Sequence, residues 1–266
     1  MMSKHPLLVL ALCAAASATT ALRAEVRTKE IEYAHGDAKL QGYLAWDDRF
    51  EGKRPGVLVV HEWWGLNDYA RKRAEMLARL GYAAFALDMY GDGKVTRHPA
   101  QAREWAGEVR QNVESWRERA RRGLDVLREQ DVVDADRVAA IGYCFGGSTV
   151  LQLAFSGAPV KGVVSFHGAL PEPDAEQLER VRARILVCHG AADPFIPREQ
   201  VEKFQEALGK SDVDWHMAIY GGAKHSFTNP SAGEAGLDGL AYDREADERS
   251  WEHMKLFFRE LFAEDE

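Results

Sequence analysis

A chain of 266 residues, 46% hydrophobic and 29% charged, holds enough apolar material for one large α/β domain, which excludes an intrinsically disordered protein. Its formal charge of −8 leaves no basic face for phosphate contacts and excludes a nucleic-acid partner. The short basic run from Arg117 to Arg122 is interrupted by Glu118 and Ala120 and reads as a solvated helix face.

The chain opens with a lysine, an apolar run and then small residues, the layout of a secretory signal peptide cleaved after Ala18 or Ala24. The apolar run is short for a membrane span. Residues 1–24 are therefore expected to be a signal peptide and 25–266 a single domain, exported to the periplasm or the medium, with no stable membrane span once the signal is cleaved. Cleavage leaves Cys144 and Cys188. Cys188 lies in "ARILVCHG", a buried-strand pattern, so no disulfide between the two is expected even in an oxidising compartment.

From Val26 the residues alternate polar and apolar around His35-Gly36-Asp37, which predicts an antiparallel hairpin. The period then changes. "GVLVVHEWW" predicts a strand, "DYARKRAEMLARLG" an amphipathic helix ended by Gly81, and "YAAFALDMYG" the next strand. Over residues 99–129, Trp105, Val109, Val113, Trp116, Ala120, Leu124 and Leu127 recur at spacings of three and four, which predicts one helix covering a sheet face. "RVAAIGYC", a helix from about Gly147, "VKGVVSFHG", "ARILVCHGAAD", "PREQVEKFQEAL", "VDWHMAIYGG" and a closing helix "EADERSWEHMKLFFRELF" complete the order. Strands separated by helices imply a mainly parallel sheet with helices on both faces, preceded by the antiparallel hairpin.

In such sheets reactive groups collect on loops after the carboxyl ends of strands. Glu62, Cys144, Asp193 and His225 all sit there. "GYCFGG" has the G-x-C-x-G form of a nucleophile elbow, with cysteine in place of serine. Nucleophile, then acid, then histidine is also the chain order of α/β-hydrolases. A thiol is mostly protonated at neutral pH, so a base must help generate thiolate. His225 is the candidate base and Asp193 the group that orients it, with the alternative that Asp193 only starts the helix near Pro197. Since His225 must begin as a base, activity is expected to follow a group titrating near neutral pH. The backbone N–H groups of Trp63 and Phe145 are candidate oxyanion donors. Trp63 and Trp64 either wall the substrate pocket, favouring apolar or aromatic acyl groups, or pack in the core. His61, His167 and His189 also end strands, but with Glu62 they lack the paired spacing of a zinc site, so no metal and no cofactor are expected.

The stretches "VLVVHEWWGLNDYARKRAEMLARLGYAAFALDMYG", "IGYCFGG", "CHGAADPFIP" and "GGAKHSF" resemble the dienelactone hydrolase family over most of residues 54–229. The resemblance implies an α/β-hydrolase fold, a Cys144-His225-Asp193 triad and an oxyanion site at Trp63 and Phe145. It also implies that Glu62 interacts with the resting thiol and takes its proton when substrate binds. Two family arginines that hold a substrate carboxylate are replaced at the approximate positions by Asp92 and Asn229, so the dienelactone itself is not the expected substrate. Lys94 or Arg97 is the candidate replacement, and Lys94 with Trp64 is the expected substrate-binding pair. The expected activity is hydrolysis of a small ester or lactone through an acyl-cysteine, by a monomer or small homo-oligomer. The contrasting reading is a thiol-based redox or binding protein on the same scaffold.

Overall fold

The computed structural model describes residues 26–263, and the expected signal segment lies outside them. The hairpin forms where the alternation places it. Strands β1 (Val26–His35) and β2 (Ala38–Asp47) pair antiparallel around a turn in which Gly36 takes a φ of 57°. There follow β3 (Arg54–Val60), α1 (Asp68–Arg79), β4 (Ala83–Leu87), α2 (Pro99–Gln111), α3 (Val113–Arg128) and β5 (Val133–Tyr143). The chain continues through α4 (Phe145–Phe155), β6 (Gly162–Phe166), α5 (Ala175–Arg180), β7 (Arg184–Gly190), α6 (Arg198–Leu208), β8 (Trp215–Tyr220) and α7 (Arg244–Ala263).

One eight-stranded sheet runs in the order β1-β2-β4-β3-β5-β6-β7-β8. β2 is antiparallel to β4, and from β4 to β8 every neighbouring pair is parallel. Parallel pairing needs a crossover between strands, so the carboxyl ends of β3 to β8 all open at one edge. This is the α/β-hydrolase architecture expected from the element order.

Both faces of the central strands are covered, which is why they read as unbroken apolar runs. Val57, Leu58, Val59 and Val60 are all fully buried. Leu58 and Val60 pack in the layer with Leu124, Leu127 and Phe145, whereas Val57 and Val59 pack with Leu77, Met254 and Phe258 on the other face. Each such side chain contributes roughly 1.5–3 kcal/mol of hydrophobic stabilisation.

The single helix expected over residues 99–129 is two helices. Asn112 leaves helical geometry at φ −123° and ψ 98°, and its side chain accepts the Ser115 N–H at 3.0 Å, starting α3 afresh. A cap of this kind is worth about 1 kcal/mol, enough to favour a break that the apolar spacing does not reveal. The basic run is likewise only partly solvated. Arg117 is buried and its Nε donates to Gln152 Oε1 at 2.9 Å, while Arg119 donates to the Met89 carbonyl at 2.9 Å. The short helix α5 was not predicted, although Asp174 and Gln177 form a capping box that marks its start. Among the described residues no helix is long and apolar enough to cross a membrane.

Candidate active site

β5 turns into α4 at Cys144, which takes φ 54° and ψ −112°. The flanking glycines are steric requirements of that turn. A Cβ on Gly146 would lie 2.2 Å from the Val60 carbonyl oxygen and 2.7 Å from that of His61, and one on Gly142 would lie 2.0 Å from the Gly146 oxygen. Because α4 starts this close to the end of β3, the half-buried Cys144 is raised at the edge where the strands end. Among the described residues, the non-glycine positions with positive φ are Asp92, Cys144, His167 and Ser226. The last three meet at this edge, as strained backbone tends to do at functional sites.

The loop after β7 carries Asp193 and the loop after β8 carries His225. His225 Nδ1–H donates to Asp193 Oδ2 at 2.7 Å, with both side chains nearly inaccessible to solvent. Asp193 Oδ1 accepts the Phe195 N–H at 2.9 Å, so the carboxylate is held from both oxygens. The N-cap of α6 is Pro197, which removes helix capping as the reason for Asp193. Phe195 and His167 stand edge-on to the ring at 5.3 and 5.4 Å and fix its plane.

Burial alone lowers the pKa of His225, but the negative charge of Cys144 and the bonds to Asp193 and Cys144 outweigh it and raise it to about 10. The expectation of a group titrating near neutral pH is corrected accordingly: beside Asp193 and Cys144, the pKa of this imidazole is raised well above the neutral range.

Glu62 joins the loop after β3 to the loop after β8. Its Oε1 accepts from Ser226 Oγ at 2.6 Å and its Oε2 from Asn229 Nδ2 at 2.5 Å. Burial raises its pKa, while those two donors and the charges of His225 and Arg73 oppose the rise. The carboxyl is thus engaged by neutral donors flanking His225, whereas the resemblance had it interacting with the Cys144 thiol. The next amide, Trp63 N–H, and the first amide of α4, Phe145 N–H, donate no hydrogen bond among the described residues.

The dienelactone hydrolase family profile matches residues 40–262, most of the chain. The chain belongs to the dienelactone hydrolase family. It is similar to a dienelactone hydrolase-like promiscuous phosphotriesterase from metagenomic libraries, with 42% identity, a TM-score of 0.86, and 89% of this chain and 98% of that one covered. A second solved structure, m3DLH, shows 45% identity and a TM-score of 0.86 over 89% of this chain and 99% of that one. Protein usf of Aquifex pyrophilus is 27% identical over 88% of this chain and 98% of its own. The protein is a hydrolase acting on ester or lactone bonds.

Against the family pattern, Asn229 is buried and bonded to Glu62, and Asp92 is exposed at φ 54°. Lys94 is exposed on the rim of a cleft of about 260 Å³ lined also by Tyr90, Trp105, Glu108 and Arg119. Trp63 is half-buried, 4.8 Å from the Trp64 ring, while Trp64 is buried in a small cluster with Ala102, Ala232 and Leu240. Cys188 is fully buried and unpaired; burial pushes its thiol up to about 12, and Tyr220 O–H donates to its sulfur at 3.6 Å. That thiol is inert packing.

Two residues of this edge have no role assigned from the sequence. His167 accepts the Cys144 N–H on Nδ1 at 3.1 Å, and Arg110 places its guanidinium 5.4 Å from the Phe145 ring centroid. His167 had a signal, its place at the end of β6; Arg110 had none, since a helix-face arginine looks like any other.

Proposed function

We propose that the protein hydrolyses carboxylic esters or lactones through an acyl-cysteine formed on Cys144, with His225 and Asp193 completing the relay, after export directed by its first 24 residues. The observation that supports this reading is the buried Asp193–His225 bond of 2.7 Å at the same strand-end edge as the strained elbow of Cys144. The leader is the support for export.

In the first step the Cys144 thiolate attacks the substrate carbonyl carbon and a C–S bond forms. The oxygen that gains the charge is met by the Trp63 and Phe145 N–H groups, which donate no other hydrogen bond among the described residues. The tetrahedral species collapses with cleavage of the C–O bond, and the His225 imidazolium gives its proton to the leaving alkoxide. Neutral His225 then takes a proton from water, which adds to the thioester. The C–S bond breaks, and carboxylic acid, thiolate and imidazolium are restored. Asp193 fixes the tautomer with Nδ1 protonated, leaving Nε2 to exchange the proton. Glu62 keeps Ser226 and Asn229, and with them the loop of His225, docked beside Trp63. Trp63 lies beside the carbonyl site, where it suits apolar or aromatic acyl groups, with Trp64 packed behind it.

The test is a panel of p-nitrophenyl esters and small lactones with wild type and Cys144→Ala. Turnover that vanishes in the variant, with mass-spectrometric detection of an acyl group on Cys144 in the wild type, is the expected result. Undiminished turnover in Cys144→Ala would reject the proposal.

A further inference from the structure

His61 follows β3 directly, and its imidazole is fully buried. The Met89 N–H donates to Nε2 at 3.2 Å, and Nδ1 lies 2.5 Å from the Glu62 carbonyl oxygen. A backbone N–H only donates and a carbonyl oxygen only accepts, so Nε2 is bare and Nδ1–H is the donor. Burial lowers the pKa of the ring, against the Glu62 bond and the Asp88 charge, and keeps it neutral. Both nitrogens of a neutral imidazole are thus used, one on the loop after β4 and the other on the loop after β3.

The second of these bonds bears on the next amide. The Glu62 carbonyl and the Trp63 N–H belong to one planar trans peptide unit and point in opposite directions, so fixing the oxygen fixes the hydrogen. The Gly65 N–H reaches the same oxygen only at 3.4 Å, which leaves His61 as its nearer donor. The following peptide unit is held by Tyr90, whose O–H donates to the Trp63 carbonyl at 3.0 Å. On its other side His61 meets α4. Its ring lies along that of Phe145, with centroids 6.0 Å apart and planes inclined by 23°. Its carbonyl oxygen is so near the first turn of α4 that a Cβ on Gly146 would lie 2.7 Å from it. One residue therefore braces the two segments, Glu62 with Trp63 and Cys144 with Phe145, that bear the amides assigned to the oxyanion.

We propose that His61 is a positioning residue for the reaction: by holding the Glu62 carbonyl oxygen, it aims the Trp63 N–H at the oxygen that gains charge when Cys144 attacks. The inference rests on the acyl-cysteine reading, and its test separates the two.

Asparagine places an amide N–H near the position of Nδ1, and glutamine places an amide oxygen near that of Nε2. His61→Asn therefore keeps the donor to Glu62 and loses the acceptor of Met89, whereas His61→Gln does the reverse. With p-nitrophenyl butyrate, His61→Gln is expected to lower kcat about 10- to 100-fold with KM within about threefold, and His61→Asn to recover most of that loss. Alkylation of Cys144 by iodoacetamide is the control. The thiolate sulfur bonds to the methylene carbon as iodide leaves, no oxyanion forms, and the rate is expected to stay within about twofold in both variants. Alkylation that slows as much as ester turnover in His61→Gln would mark a general disturbance of the elbow and overturn the assignment. In folded wild type, the ring ¹⁵N shifts are expected to place the hydrogen on Nδ1; a hydrogen on Nε2 overturns the assignment with no variant involved. Equal kcat in wild type and His61→Gln overturns it too, with acyl-cysteine turnover intact. Wild-type protein that is alkylated at Cys144 yet cleaves no ester removes the hydrolase reading and, with it, the oxyanion that His61 would serve.

Discussion

The backbone N–H of Cys144 is shared between Nδ1 of His167 at 3.1 Å and the Phe166 carbonyl at 3.0 Å, and Nε2 of the same ring meets Thr228 Oγ1 at 2.7 Å. Because a backbone amide can only donate, Nδ1 must be unprotonated and Nε2 must carry the hydrogen. Burial first, then the charges of His225 and Arg73, hold the pKa of this imidazole well below its ordinary value, so it stays neutral. Replacing His167 with leucine removes one of the two acceptors of the strained elbow amide and a donor from Thr228. The unfolding free energy is expected to fall by about 1–3 kcal/mol, read from urea denaturation. An unchanged midpoint would show that the ring is not needed to hold the turn.

Asp193→Asn tests the relay from its far end. The amide keeps the shape but presents a donor to Nδ1 in one orientation and removes the negative charge in either. A loss of roughly 10³- to 10⁴-fold in kcat is expected, with little change in KM. If kcat stays within tenfold of wild type, the 2.7 Å bond is packing and no part of catalysis.

The pH dependence follows from His225. Its folded pKa, about 10, lies above the ordinary 6.5, so the pair contributes stability that is fully present below 6.5 and lost as pH rises through about 10. The proton given to the leaving group is lost over the same range. kcat/KM is therefore expected to hold from neutral pH to about 9 and to fall through about 10. An NMR titration of the His225 ring gives the direct check, and Cys144→Ala should move its pKa downward by removing the thiolate charge. A wild-type ring that titrates at 6–7 would contradict the raised pKa.

Gly146→Ala probes the packing of the elbow. Its Cβ would meet the Val60 and His61 carbonyl oxygens at 2.2 and 2.7 Å, both backbone atoms that cannot turn aside. The cost is expected to reach or exceed the 1–3 kcal/mol usual for overpacking, with loss of activity as α4 is pushed from β3. Thermal unfolding unchanged from wild type would mean that the contact relaxes freely.

What the sequence by itself determined about this protein is the part encoded in local periodicity. The change from alternation in Glu30–Tyr33 to unbroken apolar runs such as Val57–Val60 specifies a hairpin followed by a covered parallel sheet, since period and burial are bound to backbone geometry. Gly142 and Gly146 around Cys144 likewise announce the elbow, because only glycine fits there. Tertiary structure alone decided the rest. Asn112 splits the long stripe through a side-chain cap whose strength hydrophobic spacing does not register. The acidity of His225 depends on a sulfur and a carboxylate that lie 81 and 32 residues away in the chain, and Coulomb energy is a function of distance in space. Arg110, Glu62 and His167 take their partners from other elements of the fold, so what each of them does is set by which strand ends and helix starts the folded chain brings together.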